Sequence, residues 1–328
     1  MYIKIKVLIL YTMKFTGLFF IARILNQHKI RIICYHGISI DDEHQFIPSN
    51  FITFKSLKRK MSLLKRKKFH FISLDDAVLA LKENRQLKDA VVITFDDGFQ
   101  TILDEAFPWL LQNKIPTTAY ITTYYAEKPF PIFRIAVQYL FWKTPLKTVI
   151  VNETKINLQD HDSKWDFILN AEKNLSALEM NNLLKKLQKA LSLKLSDDLI
   201  RSFSIITPEQ IASLDQQGFN IELHTHRHYF PKDYDLSSKE IKDNIQILNP
   251  LTSHTLKHFC YPSGIWDPLN YQVLKDNNIS SATTCVAGLV DKSENLLSLP
   301  RIIESEAMLP IQFEAEIVGI GDWLRSFK

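Results

Sequence analysis

Short apolar runs of roughly five residues, the length of an ordinary strand, recur along this chain, and several stop abruptly at polar residues. Arg31-Ile32-Ile33-Cys34-Tyr35 is the first, and it delivers His36-Gly37. Phe69–Ser73, the run ending at Phe95, Thr117–Thr122, Phe219–Leu223, Lys257–Tyr261, Ser280–Cys285 and Leu299–Ile303 follow. Unbroken β-branched and aromatic runs belong to strands buried on both faces, as in parallel sheets. Helical stretches separate them. Phe54, Leu57, Met61 and Leu64 make one apolar stripe, and Leu74–Asn84 and Thr101–Asn113 read as helices. Thr207-Pro208-Glu209-Gln210 opens another that Gly218 closes. Alternation of this kind predicts βαβ units around a parallel sheet, with the polar run-ends gathered on one rim.

Two regions break the rhythm. Residues 124–204 carry Pro129, Pro131 and Pro145 and a long charged helical stretch, and read as a helical insertion. Residues 1–30 read as an apolar-faced helix. Lys14 and Arg23 interrupt its apolar run, no small-x-small cleavage site follows before Arg31, and Phe15–Ala22 is too short to cross a bilayer. Packing on the body is the favoured reading, and lying at a membrane surface, a peripheral contact, is the alternative. Residues 31–328 then form the main domain.

Composition adds little to this. At 328 residues, 46% hydrophobic and 23% charged, the chain is an ordinary globular one. The net charge of +4 names no partner, but Lys55, Lys58, Arg59, Lys60, Lys65, Arg66, Lys67 and Lys68 crowd a single helix. A solvated basic face is the plain explanation; attraction to anionic lipid or a phosphorylated substrate is the sharper one. Nucleic acid is not expected, because no recognised binding motif accompanies the charge. Three cysteines without a Cys-x-x-Cys pair read as buried free thiols in a reducing, cytoplasmic compartment, with membrane association as the variant of that reading.

The chemistry lies at the run-ends. Asp96 and Asp97 are adjacent at a strand terminus and point in different directions, so one can ligate a cation while the other handles a proton. Gly98 lets the chain turn there. His224, His226 and His228 alternate, which on an extended chain places all three on one face. Two histidines and a carboxylate suit Zn²⁺ or another divalent ion holding water, and the second carboxylate is left as base. Metal plus base amounts to assisted hydrolysis.

Thr94-Phe95-Asp96-Asp97-Gly98, His224-x-x-x-His228 and Tyr261-Pro262-Ser263-Gly264 resemble the first three motifs of the polysaccharide deacetylase (NodB-homology) family, in the family's order, over Arg31–Ile303 without the insertion. The resemblance implies a distorted (β/α)7 barrel that hydrolyses an N-acetyl group on a sugar or polysaccharide. It implies Asp96 as general base and Asp97, His224 and His228 as ligands of one divalent metal ion, Zn²⁺ first, with Co²⁺, Ni²⁺ or Fe²⁺ as other occupants. The Ser263 N–H then helps hold the oxyanion, with Tyr261 and His226 beside the substrate. Two features depart from the family pattern. Cys260 stands where an arginine often orients the base, and Arg301 is the candidate substitute. No histidine follows His258 to serve as general acid, so that role falls to His36, in Tyr35-His36-Gly37, as in a permuted branch acting on poly-N-acetylglucosamine. O-deacetylation, hydrolysis of another acylamide, and a silent glycan-binding barrel are the alternatives.

Overall fold

The computed structural model describes residues 2–326, with side chains from residue 5 onward. Seven parallel strands close into a ring in chain order: β1 (Arg31–Tyr35), β2 (Ala90–Phe95), β3 (Thr117–Ile121), β4 (Asn220–Leu223), β5 (His258–Cys260), β6 (Ser281–Ala287) and β7 (Leu299–Ile303). β1 is the seam. Its Ile33 lies opposite Ile93 of β2 on one side and Ile302 of β7 on the other. Every residue of β1, β2 and β3 is buried, which is why these runs are mostly apolar; the exceptions, Arg31, Thr94, Thr117 and Thr118, are buried too, and Arg31 donates to three backbone carbonyls. The ring is uneven: β4 and β5 meet at a single residue pair, and the register slips between Thr283 and Ala287 of β6. This is the (β/α)7 barrel that the resemblance implies. The run at Phe69–Ser73 yields only His70–Phe71, which pairs with the start of β2 outside the ring.

Helices pack around the ring where sequence placed them. Thr207 and Gln210 cap helix Pro208–Gln216 reciprocally, side chain to backbone. The N-terminal segment is not one helix but two, α1 (Tyr2–Phe15) and α2 (Leu18–Leu25), bent by 78°. Gly17 makes the elbow at φ 83°, a left-handed conformation that suits glycine. No single helix among the described residues is long and apolar enough to cross a membrane. The basic helix is α3 (Phe54–Arg66), and its face is not wholly solvated. Lys60 is buried against Glu304, while Leu57, Met61 and Leu64 fill the core. Helix α4 (Pro310–Val318) follows β7 and packs against α1 and α2.

The insertion enters between β3 and β4 and is not purely helical. Helices Phe133–Lys143, His161–Asn174 and Ala177–Leu191 surround an antiparallel hairpin, Thr148–Val151 with Thr154–Asn157. The hairpin turns on Asn152-Glu153, both at positive φ, without the glycine that usually marks such a turn.

Candidate active site

The carboxyl ends of the strands converge as the alternation predicts, but by turns and not by extended chain. Asp97, Thr225, His228 and Ser263 all sit at positive φ, between 54° and 69°. Four non-glycine residues in a sparsely populated region around one site mark a constellation held by its surroundings. Gly98 lies beneath it; a Cβ there meets Ile121 at 2.8 Å.

Asp97, His224 and His228 come together. Asp97 Oδ1 is buried with no hydrogen-bond partner, yet it lies 3.2 Å from His224 Nε2 and 3.3 Å from His228 Nε2. His224 gives its other ring nitrogen, Nδ1, to the Cys260 carbonyl at 2.8 Å. A carbonyl only accepts, so Nδ1 carries a proton and Nε2 is the nitrogen turned toward the carboxylate. Burial lowers the His228 pKa to about 4 against the pull of Asp97, so that imidazole is neutral, whereas at His224 the neighbouring Cys260 and Asp97 outweigh burial and hold the pKa well above the usual imidazole range. Two imidazole nitrogens and a carboxylate oxygen converging within hydrogen-bond distance fit a cation that takes the place of the His224 proton. The backbone carbonyl behind His224 is the outer support such ligands require.

Asp96, one residue earlier, has a different environment. Arg301 donates Nη1 to Oδ1 at 2.8 Å and Nη2 to Oδ2 at 2.7 Å, with both groups buried. Burial alone raises the pKa of a carboxylate, but the guanidinium outweighs it and holds Asp96 far below the usual range. Two thiols add to the cage: Cys260 Sγ and Cys34 Sγ point at the same Oδ2 from 3.2 and 3.3 Å. Arg301 arrives from β7 and fills the place left by Cys260 on β5. His36 Nε2 lies 4.0 Å from Asp96 Oδ2, and His36 Nδ1 is buried without a partner.

Ser263 is exposed and lines a cleft of about 440 Å³ above the rim, together with Asp97, His226 and His228. Two expected neighbours are elsewhere. His226 is parted from the other two histidines because the left-handed turn at Thr225 breaks the alternation; its Nδ1 meets Thr123 Oγ1 at 2.9 Å and its ring stands on the cleft wall. Tyr261 is turned into the core, with its hydroxyl donating to the Leu297 carbonyl and its N–H to the Thr283 carbonyl, so it offers the cleft no donor. His254 and His258 are structural: the first bonds Asp215 and the Ile221 carbonyl, the second Ser281 and Asp75. Cys34 and Cys260 are buried free thiols, whereas Cys285 is exposed.

Sequence reasoning missed the other cleft wall. Tyr124, Tyr125, Arg134, Gln138 and Glu172 reach it from the insertion, and Arg134 Nε bonds Glu172 Oε1 at 3.0 Å. Nothing local distinguishes these residues from solvent-facing charges. The thiols beside Asp96 carried a signal, since Cys34 is paired in register with Thr94, two residues before Asp96.

A family model described as polysaccharide deacetylase matches residues 83–282. The poly-beta-1,6-N-acetyl-D-glucosamine N-deacetylase of Staphylococcus epidermidis is 31% identical over 104 residues, 31% of this chain and 36% of that protein. The match thus spans about a third of the relative's length. Among solved structures, the Streptococcus pyogenes deacetylase PplD in complex with acetate superposes with a TM-score of 0.59 at 19% identity, covering 88% of this chain and 98% of that one. IcaB from Ammonifex degensii gives 0.59 at 17%, covering 89% and 98%. At these identities the two structures speak for the fold.

Proposed function

The chain belongs to the polysaccharide deacetylase family, and from that premise we propose that it removes N-acetyl groups from a sugar polymer by metal-assisted hydrolysis. One observation carries the reading: two adjacent carboxylates with opposite surroundings. Asp97 Oδ1 has no hydrogen-bond partner and faces the Nε2 atoms of His224 and His228; Asp96 is locked ionised by Arg301. Asp97, His224 and His228 would hold a divalent ion, Zn²⁺ first for a mixed nitrogen and oxygen set, and that ion when bound polarises the acetamide carbonyl and acidifies water.

The chain's own groups supply the proton traffic. Asp96, kept ionised by Arg301 beneath the cleft and beside Asp97, accepts the proton of the attacking water as the new oxygen–carbon bond forms. Ser263, exposed at a left-handed turn that lines the cleft, would offer its backbone N–H to the developing oxyanion. When the carbon–nitrogen bond breaks, the nitrogen needs a proton, and His36 delivers it, leaving acetate and a free amine. Base and acid share one neighbourhood, 4.0 Å apart, so the proton gained by one can recharge the other. Tyr124, Tyr125, His226 and Gln138 give the cleft the flat faces and hydrogen-bonding edges that sugars use. The Staphylococcus epidermidis relative, named for an N-acetylglucosamine polymer, supports this substrate class.

The test is acetate release from N-acetylated glucosamine oligomers, with O-acetylated ones alongside. Asp96→Asn is expected to keep its metal while turnover drops about 10²–10⁴-fold, the scale of a lost general base. Release from O-acetyl substrates alone refutes the N-deacetylase assignment. Metal lost together with activity in Asp96→Asn means the two aspartates have been given each other's roles.

A further inference from the structure

The α1–α2 elbow is amphipathic in the wrong sense for a helix pair on a soluble barrel. Its polar anchors face inward. Lys14 and Lys67 both reach Glu314 of α4, at 2.7 and 2.6 Å, and Arg23 bonds Asp89 and the Lys67 carbonyl. Leu10, Phe19, Ala22 and Asn26 are buried beneath. The outward side is largely apolar, with Lys6, Thr12 and Thr16 as its exposed polar residues. Leu8, Ile9 and Phe15 on α1 and Phe20, Ile21 and Ile24 on α2 are all exposed, Phe15 by 87% and Phe20 by 69%. The two phenylalanines flank the Gly17 turn and form its tip. Among the described residues, nothing covers this surface, and exposed apolar surface of such extent marks an interaction site.

The charge around it names the occupant. Lys67 shares Glu314 with Lys14 and its carbonyl accepts from Arg23, so the elbow abuts the end of α3, where the chain neighbours of Lys67, Arg66 and Lys68, are both exposed. Glu314 neutralises only one of its two lysines, so the rim stays positive. We propose that the elbow is a docking surface for an anionic lipid bilayer: Phe15 and Phe20 enter the acyl boundary while the basic rim engages head groups. An in-plane helix pair with an apolar outer side and cationic borders is the geometry of interfacial binding, where aromatic area and charge add. Docking this way does not depend on the proposed chemistry.

The full-length chain is tested by flotation with phosphatidylcholine vesicles and with vesicles containing about a third phosphatidylglycerol, a mixture that gives a strongly negative surface. Binding is expected on the anionic vesicles and should weaken as salt rises from ~0.05 to ~0.5 M, since the screening length shrinks several-fold. Phe15→Ser with Phe20→Ser should lower the partition coefficient by roughly tenfold or more, with the melting temperature unchanged because neither ring enters the core. Arg66→Glu with Lys68→Asn should remove the salt-sensitive part; asparagine tolerates the positive φ of 58° at Lys68. No flotation by the folded chain, or equal flotation by the double phenylalanine variant, overturns the proposal. So does a dimer that this variant dissociates in the absence of lipid, because the surface then belongs to a second copy.

Discussion

Arg301→Met isolates what the buried ion pair contributes. The substitution keeps an apolar side chain of comparable length on β7 but removes both charge-assisted bonds to Asp96, at 2.8 and 2.7 Å. The carboxylate stays buried, with two thiols at 3.2 and 3.3 Å as its remaining side-chain donors. Thiols are weak donors and cannot compensate a charge. Breaking a buried pair from one side costs about 3–5 kcal/mol, because the surviving ion has lost both water and partner. At a urea dependence of about 3 kcal/mol per molar, the midpoint should fall by about 1 M or more. Removing the second charge should reverse most of this: Arg301→Met with Asp96→Asn is expected to be more stable than Arg301→Met alone by about 2 kcal/mol, a non-additivity only direct coupling produces. Urea melts of the four proteins, in chelator so that metal binding does not enter, supply the cycle. A loss under about 1 kcal/mol in Arg301→Met, below the range for a buried pair, refutes the reasoning, as does a double variant no more stable than the single.

Asp97→Ala and His228→Ala should each abolish stoichiometric binding of Zn²⁺ in equilibrium dialysis; retention of one equivalent by either variant removes that residue from the ligand set. His36→Ala should depress hydrolysis of acetamides much more than that of an activated acetate ester, whose leaving group needs no proton; equal losses on both would make His36 a positioning residue. Glu222, buried on β4 and accepting from the Lys257 and His258 N–H groups at 2.9 and 2.8 Å, has its pKa pushed up to about 8 by burial. A raised carboxyl pKa contributes stability that is full below its unfolded value, near 4.3, and that is lost as pH rises through about 8. Glu222→Gln should therefore match the wild type near pH ~4, pull ahead of it steadily as pH rises toward about 8, and exceed it by roughly 1 kcal/mol or more near pH ~9; parallel pH dependences in urea melts would contradict this.

The strands were legible because parallel strands buried on both sides have no polar side to present, so β1, β2 and β3 are mostly β-branched and aromatic with no polar alternation. Phe69–Ser73 has the same composition, but only two of its residues pair, and composition says nothing about how much partner edge is free. The aspartates and the outer histidines were legible as chemistry at strand ends. The place of His226 was not, since its alternation with the others presumes extended backbone and Thr225 is left-handed. Arg134, Gln138 and Glu172 became cleft residues only through the packing of an insertion whose sequence resembles any charged helix. Cys34 and Cys260 read as inert because their chain neighbours are apolar; their shared contact with Asp96 arises across strands. The N-terminal run read as one helix because its apolar residues continue across Gly17, whose left-handed turn makes the break.

The bond between Arg301 and Asp96 spans the seam of the ring. β7 lies on one side of β1 and β2 on the other, so the guanidinium reaches past β1 to hold the carboxylate. The three residues proposed as ligands all precede residue 229, whereas Arg301, which fixes the proposed base, is on the last strand among the described residues. A chain ending before β7 would keep Asp97, His224 and His228 in its sequence but leave Asp96 without its guanidinium partner, because only closing the circle brings the two together.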